Sequence, residues 1–210
     1  EYVRNNCEII EMDAYPDPTT KSITAPWITI PMGQALPKMS SVGNFYKARH
    51  GVVNDLNSLF LIEIVDEINE DTIKIRNLGD KGKKKIKTLT KSIEKDIVYP
   101  LIKPKDAKKW GVTSYQYMII PQMKAGENNE SDLRINYPKG YSFLSSFRDE
   151  LATRKSKWFY GGDKPFYSLF GIGEYTFQKF KIVWCCMSYQ PHFSVVSTTF
   201  SMRFCVRCCF

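Results

Sequence analysis

Eleven lysines lie between positions 81 and 109, at 81, 83, 84, 85, 87, 91, 95, 103, 105, 108 and 109. Only Glu94, Asp96 and Asp106 oppose them, so this segment alone carries +8. The rest of the 210 residues holds 19 basic and 19 acidic side chains, and the whole net charge of +8 therefore sits in 29 residues. Such segregation points to a polyanionic partner, because a merely solubilising surface interleaves its signs. Lysine is a point charge suited to phosphate contact rather than to two-pronged reading of a base edge. The alternative is a solvated, lysine-rich hairpin. A second group mixes cations with rings: Arg154, Lys155, Lys157, Trp158, Phe159, Tyr160, Lys164, Phe166 and Tyr167. That mixture suits a groove touching nucleic acid, or else a core whose lysines alone face water.

Other chemistries are less well supplied. Five of six cysteines fall in the last 26 residues. Cys205 and Cys208 have the spacing of a metal-ligand pair, but zinc needs a second pair or two histidines. His50 and His192 are the only histidines. No signal segment opens the chain, so disulfides are not the default. No nucleophile elbow, paired catalytic carboxylates or Pro-Pro dipeptide is present. Phe170-Gly171-Ile172-Gly173 resembles a cofactor turn only superficially, and a tight loop is expected there. No apolar run nears the ~20 residues of a membrane helix.

The elements that must position the lysines are mostly strands. Strands are expected over Phe45–Val53, Ser58–Val65, Thr72–Arg76, Tyr115–Ile120, Phe180–Met187 and Phe193–Thr199. Thr72-Ile73-Lys74-Ile75-Arg76 alternates apolar and polar, as a half-buried strand does. Asp96 to Ile102 is apolar and broken by Pro100, and Pro104 to Trp110 suits one or two helical turns. A helix is expected from Ser142 to about Lys155, with Phe143, Phe147 and Leu151 on one face. The sum is an α+β fold, strand-rich with a few short helices. Three segments are expected: a connector over 1–40, the main domain over 41–197, and an atypical cysteine-rich tail over 198–210. That tail lacks a clean period, as a shifted reading frame would. Glu1 in place of Met suggests a partial chain.

Three ordered stretches carry a resemblance. Phe45-Tyr46-Lys47-Ala48-Arg49-His50-Gly51-Val52-Val53-Asn54-Asp55-Leu56-Asn57 resembles the strand and turn opening the target-recognition region of adenine-N6 DNA methyltransferases of restriction–modification systems, the Taq-like and type IIG group. Val98 to Asp106 is similar to that family's Tyr-Pro-Leu-Leu-(Arg/Lys)-Gly-x-Asp element, and Pro165 to Phe177 with Lys181–Trp184 to its late motif. Asn54-Asp55 replace a usual Thr-Gly, and Pro104 replaces a usual Gly.

The resemblance implies a prokaryotic, cytoplasmic protein that clamps duplex DNA. A domain upstream of Glu1 would bind S-adenosylmethionine and flip the adenine. No catalytic, cofactor or metal residue is expected in this chain. The expected DNA-binding residues are Lys47, Arg49, Lys81, Lys83, Lys84, Lys85, Lys87, Lys103, Lys105, Lys108, Lys109, Arg154, Lys155, Lys157, Tyr160 and Lys164. Two other possibilities stay open: a separate specificity subunit, or a small zinc-stabilised interaction module.

Overall fold

The computed structural model describes residues 10–17, 24–25, 27–31, 48–159, 161–185, 193–197 and 205–206. The chain divides into two units, Glu1–Ala48 and Arg49–Phe210. In the first, β1 (Met12–Pro16) and β2 (Trp27–Pro31) pair antiparallel. A two-stranded ribbon thus occupies part of the stretch read as connector.

The second unit is an α+β fold, as expected. After a single helical turn, α1 (Asn57–Phe60), come β3 (Leu61–Glu67), β4 (Thr72–Asn77), β5 (Thr90–Glu94) and β6 (Val98–Ile102). A hairpin of β7 (Ala107–Lys108) and β8 (Gly111–Val112) precedes β9 (Gln116–Ile119). Helices α2 (Glu130–Asn136), α3 (Pro138–Ser145) and α4 (Arg148–Ala152) follow. The last described strands are β10 (Phe180–Trp184), β11 (Phe193–Ser197) and β12 (Cys205–Val206). The main sheet runs β12-β6-β9-β3-β4-β5, antiparallel except for the β12–β6 edge, and β10–β11 form a separate antiparallel ribbon.

Alternation fixes the sheet's inner face. Ile73 and Ile75 of β4 are fully buried beside Ile62, Ile93 and Met118, while Lys74 and Arg76 face water. The three helices cover this face with Phe143, Leu144, Phe147 and Leu151. The expected single helix is two. It starts earlier, at Pro138, where the Glu94 carboxylate accepts the Lys139 and Gly140 N–H groups at 3.0 and 2.8 Å. It breaks at Ser146–Phe147, where Phe147 adopts φ −123° and ψ 23°. The break keeps Phe143, Phe147 and Leu151 all buried, which is what their spacing predicts.

Residues 58–60 are helical rather than extended. The Asn54 side chain accepts the Leu56 N–H at 2.8 Å, and the Leu56 carbonyl then accepts from Leu59 and Phe60. Val53 makes only an isolated bridge, and the rest of the strand expected from Phe45 is either without an element or outside the described residues. The Phe170–Gly173 loop is tight as expected. Gly171 has φ +66°, and a Cβ there would lie 2.3 Å from the Gly51 carbonyl oxygen.

A second, smaller core joins Ile102 and Ala107 to Val183 and Val196. It seats the inner face of the β10–β11 ribbon on the β7–β8 hairpin. Ser194 Oγ locks the contact from between the carbonyls of Lys108 and Gly111, which share its one hydroxyl proton.

Candidate nucleic-acid interface

The lysine loop is built between β4 and β5. The Lys81 N–H donates to the Leu78 carbonyl, and the Ile86 N–H to Gly79. Gly79 is required by close approach, because a Cβ there would sit 2.5 Å from the Ile86 carbonyl oxygen. Asn77, fully buried, anchors the return limb. Its Nδ2 donates to the carbonyls of Ser58 (2.9 Å) and Lys87 (3.0 Å), and its Oδ1 accepts the Leu89 N–H at 2.7 Å. Between these anchors Lys81, Lys83, Lys84 and Lys85 are exposed. Lys87 is exposed too, but its ammonium lies 5.2 Å from the centre of the Phe147 ring.

The second cationic segment leaves the sheet at β6. Pro104–Asp106 forms a 3-10 turn. Asp106, buried, accepts from the Lys103 N–H at 3.3 Å and from Ser114 Oγ at 2.7 Å. Its role is to shape the turn that carries Lys103 and Lys105.

The third segment follows α4. Lys155 is exposed, and its N–H donates to Asp55 Oδ2 at 2.7 Å. Asp55 has φ +54°. That is the left-handed backbone which the glycine of the resembling pattern favours, and aspartate is among the few other residues that tolerate it. The replacement therefore leaves such a turn available while adding a carboxylate.

These three segments meet. A cleft of about 690 Å³ is lined by Lys83 and Lys84, by Lys103, Pro104 and Lys105, and by Lys155, with Asp55, Asn57 and Glu150 among its other walls. Lys84 Nζ bonds Thr153 Oγ1 across it. Five lysines from positions up to 72 apart thus face one concavity that holds two carboxylates. Low-dielectric walls lined by one sign focus the field and favour anions.

Arg154, expected among the DNA-binding residues, is 4% exposed and bonds the chain's own backbone. Nε donates to the Leu151 carbonyl, Nη1 to Asn54 and Ser168, and Nη2 to Phe166, at 3.2, 3.4, 2.6 and 2.6 Å. The guanidinium lies 4.2 Å from the Phe159 ring centre. Burial lowers its pKa to about 10, partly offset by Asp55, so it stays charged at neutral pH. Arg154 is a largely buried rivet in the wall of the cleft, held by main-chain carbonyls.

The other expected residues scatter around this centre. Arg49 is exposed and lies 5.5 Å from the Tyr175 ring centre. Lys164 donates to the Gly161 carbonyl and covers the Trp158 ring at 4.9 Å. Lys157 is exposed on the Lys157–Phe159 turn. Lys108 and Lys109 sit on the β7–β8 hairpin, and neither they nor Lys81, Lys85 and Lys87 line the cleft. Lys47 and Tyr160 lie outside the described residues. Of the rings in the second cluster, Phe159 and Tyr167 are buried and Trp158 and Phe166 half-buried. Sequence reasoning missed Asn77, Asp55 and Thr153. Asn77 could have been suspected as a polar residue ending an alternating strand.

The three resembling stretches also converge. Val53 and Phe170 exchange two backbone hydrogen bonds of 2.9 Å, and the Tyr99 and Phe177 rings stack at 5.3 Å. The space beside Gly171 is filled by the Gly51 carbonyl, which holds the turn against the first resembling stretch. Among the described residues no group of three His, Cys, Asp or Glu side chains could hold a metal, and no helix is long and apolar enough to cross a membrane. Most of the cysteine-rich tail lies outside the described residues.

No family model matches the chain. It is similar to Type II methyltransferase M.NspV of Nostoc sp. (strain ATCC 29411 / PCC 7524), with 28% identity over 151 residues. Those residues make up 71% of this chain and 28% of the relative, so the chain matches little more than a quarter of that protein's length. The likeness gives a distant relationship to the methyltransferases of restriction–modification systems.

Proposed function

We propose that this chain is the duplex-binding, target-recognition part of an adenine-N6 DNA methyltransferase. The observation that carries the reading is the cleft that gathers Lys83, Lys84, Lys103, Lys105 and Lys155 from three segments. The distant likeness to a type II methyltransferase supports it. In this reading the lysines neutralise backbone phosphates and fix the register on the duplex, and base-edge contacts come from neighbouring side chains. S-adenosylmethionine binding and methyl transfer belong to residues other than these 210.

The test is duplex binding by fluorescence anisotropy across a salt series. The logarithm of affinity should fall linearly with the logarithm of salt, by roughly 0.9 per phosphate neutralised. Reversing Lys83, Lys84 and Lys85 to Glu should make that slope shallower by about 2 to 3. An unchanged slope would remove the lysine loop from the interface.

A further inference from the structure

Among the described residues, the outer face of the β10–β11 ribbon is apolar and exposed. Pairing sets Ile182 opposite Val195 and Trp184 opposite Phe193. Phe180, Ile182, Phe193 and Val195 are about half to two-thirds exposed, while Val183, Ser194 and Val196 on the other face are buried. Trp110, at the tip of the β7–β8 hairpin, joins this ribbon. Its N–H donates to the Phe193 carbonyl at 2.9 Å, and its side chain is 73% exposed.

Two features say what would cover this face. The first is charge. Lys109 Nζ lies 5.9 Å from the Trp110 ring centre, and Lys179 Nζ lies 5.3 Å from that of Phe180. No Asp or Glu occurs from position 107 to 126, or anywhere after Glu174. The second is strain. Trp110 adopts φ +72°, a left-handed conformation that bulky side chains rarely take. The fold accepts a strained backbone here while holding an indole out in water. Exposed rings with cations beside Trp110 and Phe180 match an anionic chain with π-faces to stack. An acidic or purely apolar protein surface matches them less well, because the lysines beside Trp110 and Phe180 favour phosphate while the rings favour stacking.

We propose that Trp110, Phe180 and Phe193, with Lys109 and Lys179, form a stacking platform for unpaired nucleotides, separate from the duplex-binding cleft. None of these residues lines that cleft. The inference goes beyond duplex recognition and does not require it.

The experiment titrates the 210-residue chain with fluorescein-labelled dT12 and, separately, with a random-sequence duplex. Wild type should bind dT12. The Trp110→Ala and Phe180→Ala variants should each lose about 5- to 150-fold in dT12 affinity, the range expected for one stacked base. Phe180→Tyr should stay within about 3-fold, because the ring is kept. Both positions are exposed, and an unchanged melting curve checks that the variants fold. Duplex affinity should change little in the ring variants, whereas the Lys83, Lys84 and Lys85 reversal should weaken duplex binding and leave the ring-dependent loss in place. Absent dT12 binding, or equal dT12 affinity in wild type and ring variants, overturns the platform. So does a dimer, seen by light scattering, that Trp110→Ala dissolves, since the face would then be covered by a second copy.

Discussion

Two side chains at the edge of the cleft have opposite roles, and substitutions separate them. Asp55 adds a negative charge to a cleft lined by five lysines. Asp55→Asn keeps a residue type that tolerates the left-handed turn and removes that charge. Duplex affinity should rise about 2- to 5-fold at low salt and converge with wild type as salt screens the field. Arg154 directs its charge to main-chain carbonyls of the fold itself. Arg154→Lys retains the cation but cannot reach carbonyls in three segments at once. It should lower unfolding free energy in urea by about 2–4 kcal/mol, as expected when buried charge-assisted hydrogen bonds are lost. The salt slope of duplex binding by the folded fraction should not change. Arg154→Met, which removes the cation, should also leave that slope unchanged in the folded fraction, and a slope reduced by about one would return Arg154 to the contact set.

The lysine loop depends on its anchors as much as on its charges. Asn77 supplies two donors and one acceptor to backbone groups of Ser58 in α1 and of Lys87 and Leu89 on the return limb. Asn77→Ala would leave those groups buried and unpaired, a loss of roughly 2–4 kcal/mol. It should also speed hydrogen exchange at the Leu89 amide more than at amides of β6, since Leu89 loses its acceptor directly. The helical layer has a comparable junction. Glu130 of α2 accepts from Tyr141 of α3 at 2.6 Å and from Arg134 at 3.0 Å, with Arg148 of α4 at 3.7 Å. The Tyr141 hydroxyl, and after it the arginines, hold the Glu130 carboxyl below its ordinary value of 4.5, against an opposing push from burial. Because the folded value is the lower one, this stabilisation is fully present above pH 4.5 and is lost as pH falls through the folded value. Glu130→Gln should therefore flatten the acid limb of the stability curve below that pH and leave its slope near neutrality unchanged.

Charge at the scale of the whole molecule sets the approach to a partner. With the whole net charge of +8 in one segment, duplex association should be steered and should slow steeply between 50 and 200 mM salt. Reversing three lysines changes the net charge from +8 to +2, and stopped-flow association should lose most of that salt dependence. The segregation, the α+β class and the buried Phe143–Phe147–Leu151 face were legible from sequence, because each follows from local pattern. The break at Ser146 was not, since the expected register of apolar residues runs through it. Nor was the burial of Arg154. Its neighbours in sequence are basic and aromatic, but its partners at 54, 166 and 168 come together only in the fold. The cleft belongs to the same class: its lysines are visible as residues, and their meeting is a property of topology.

Arg154 has one more consequence. Each of its four acceptors is a main-chain carbonyl, at positions 54, 151, 166 and 168. A clamp that grips only main chain is indifferent to which side chains its neighbours carry. Asn57 and Lys155 can thus be exchanged above an unchanged foundation, whereas position 55, at φ +54°, must keep a residue that tolerates the left-handed turn. If the cleft reads DNA as proposed, libraries randomised at 57 and 155 should yield a high fraction of folded proteins that differ in the DNA they prefer, which makes this surface a starting point for laboratory evolution of new specificities.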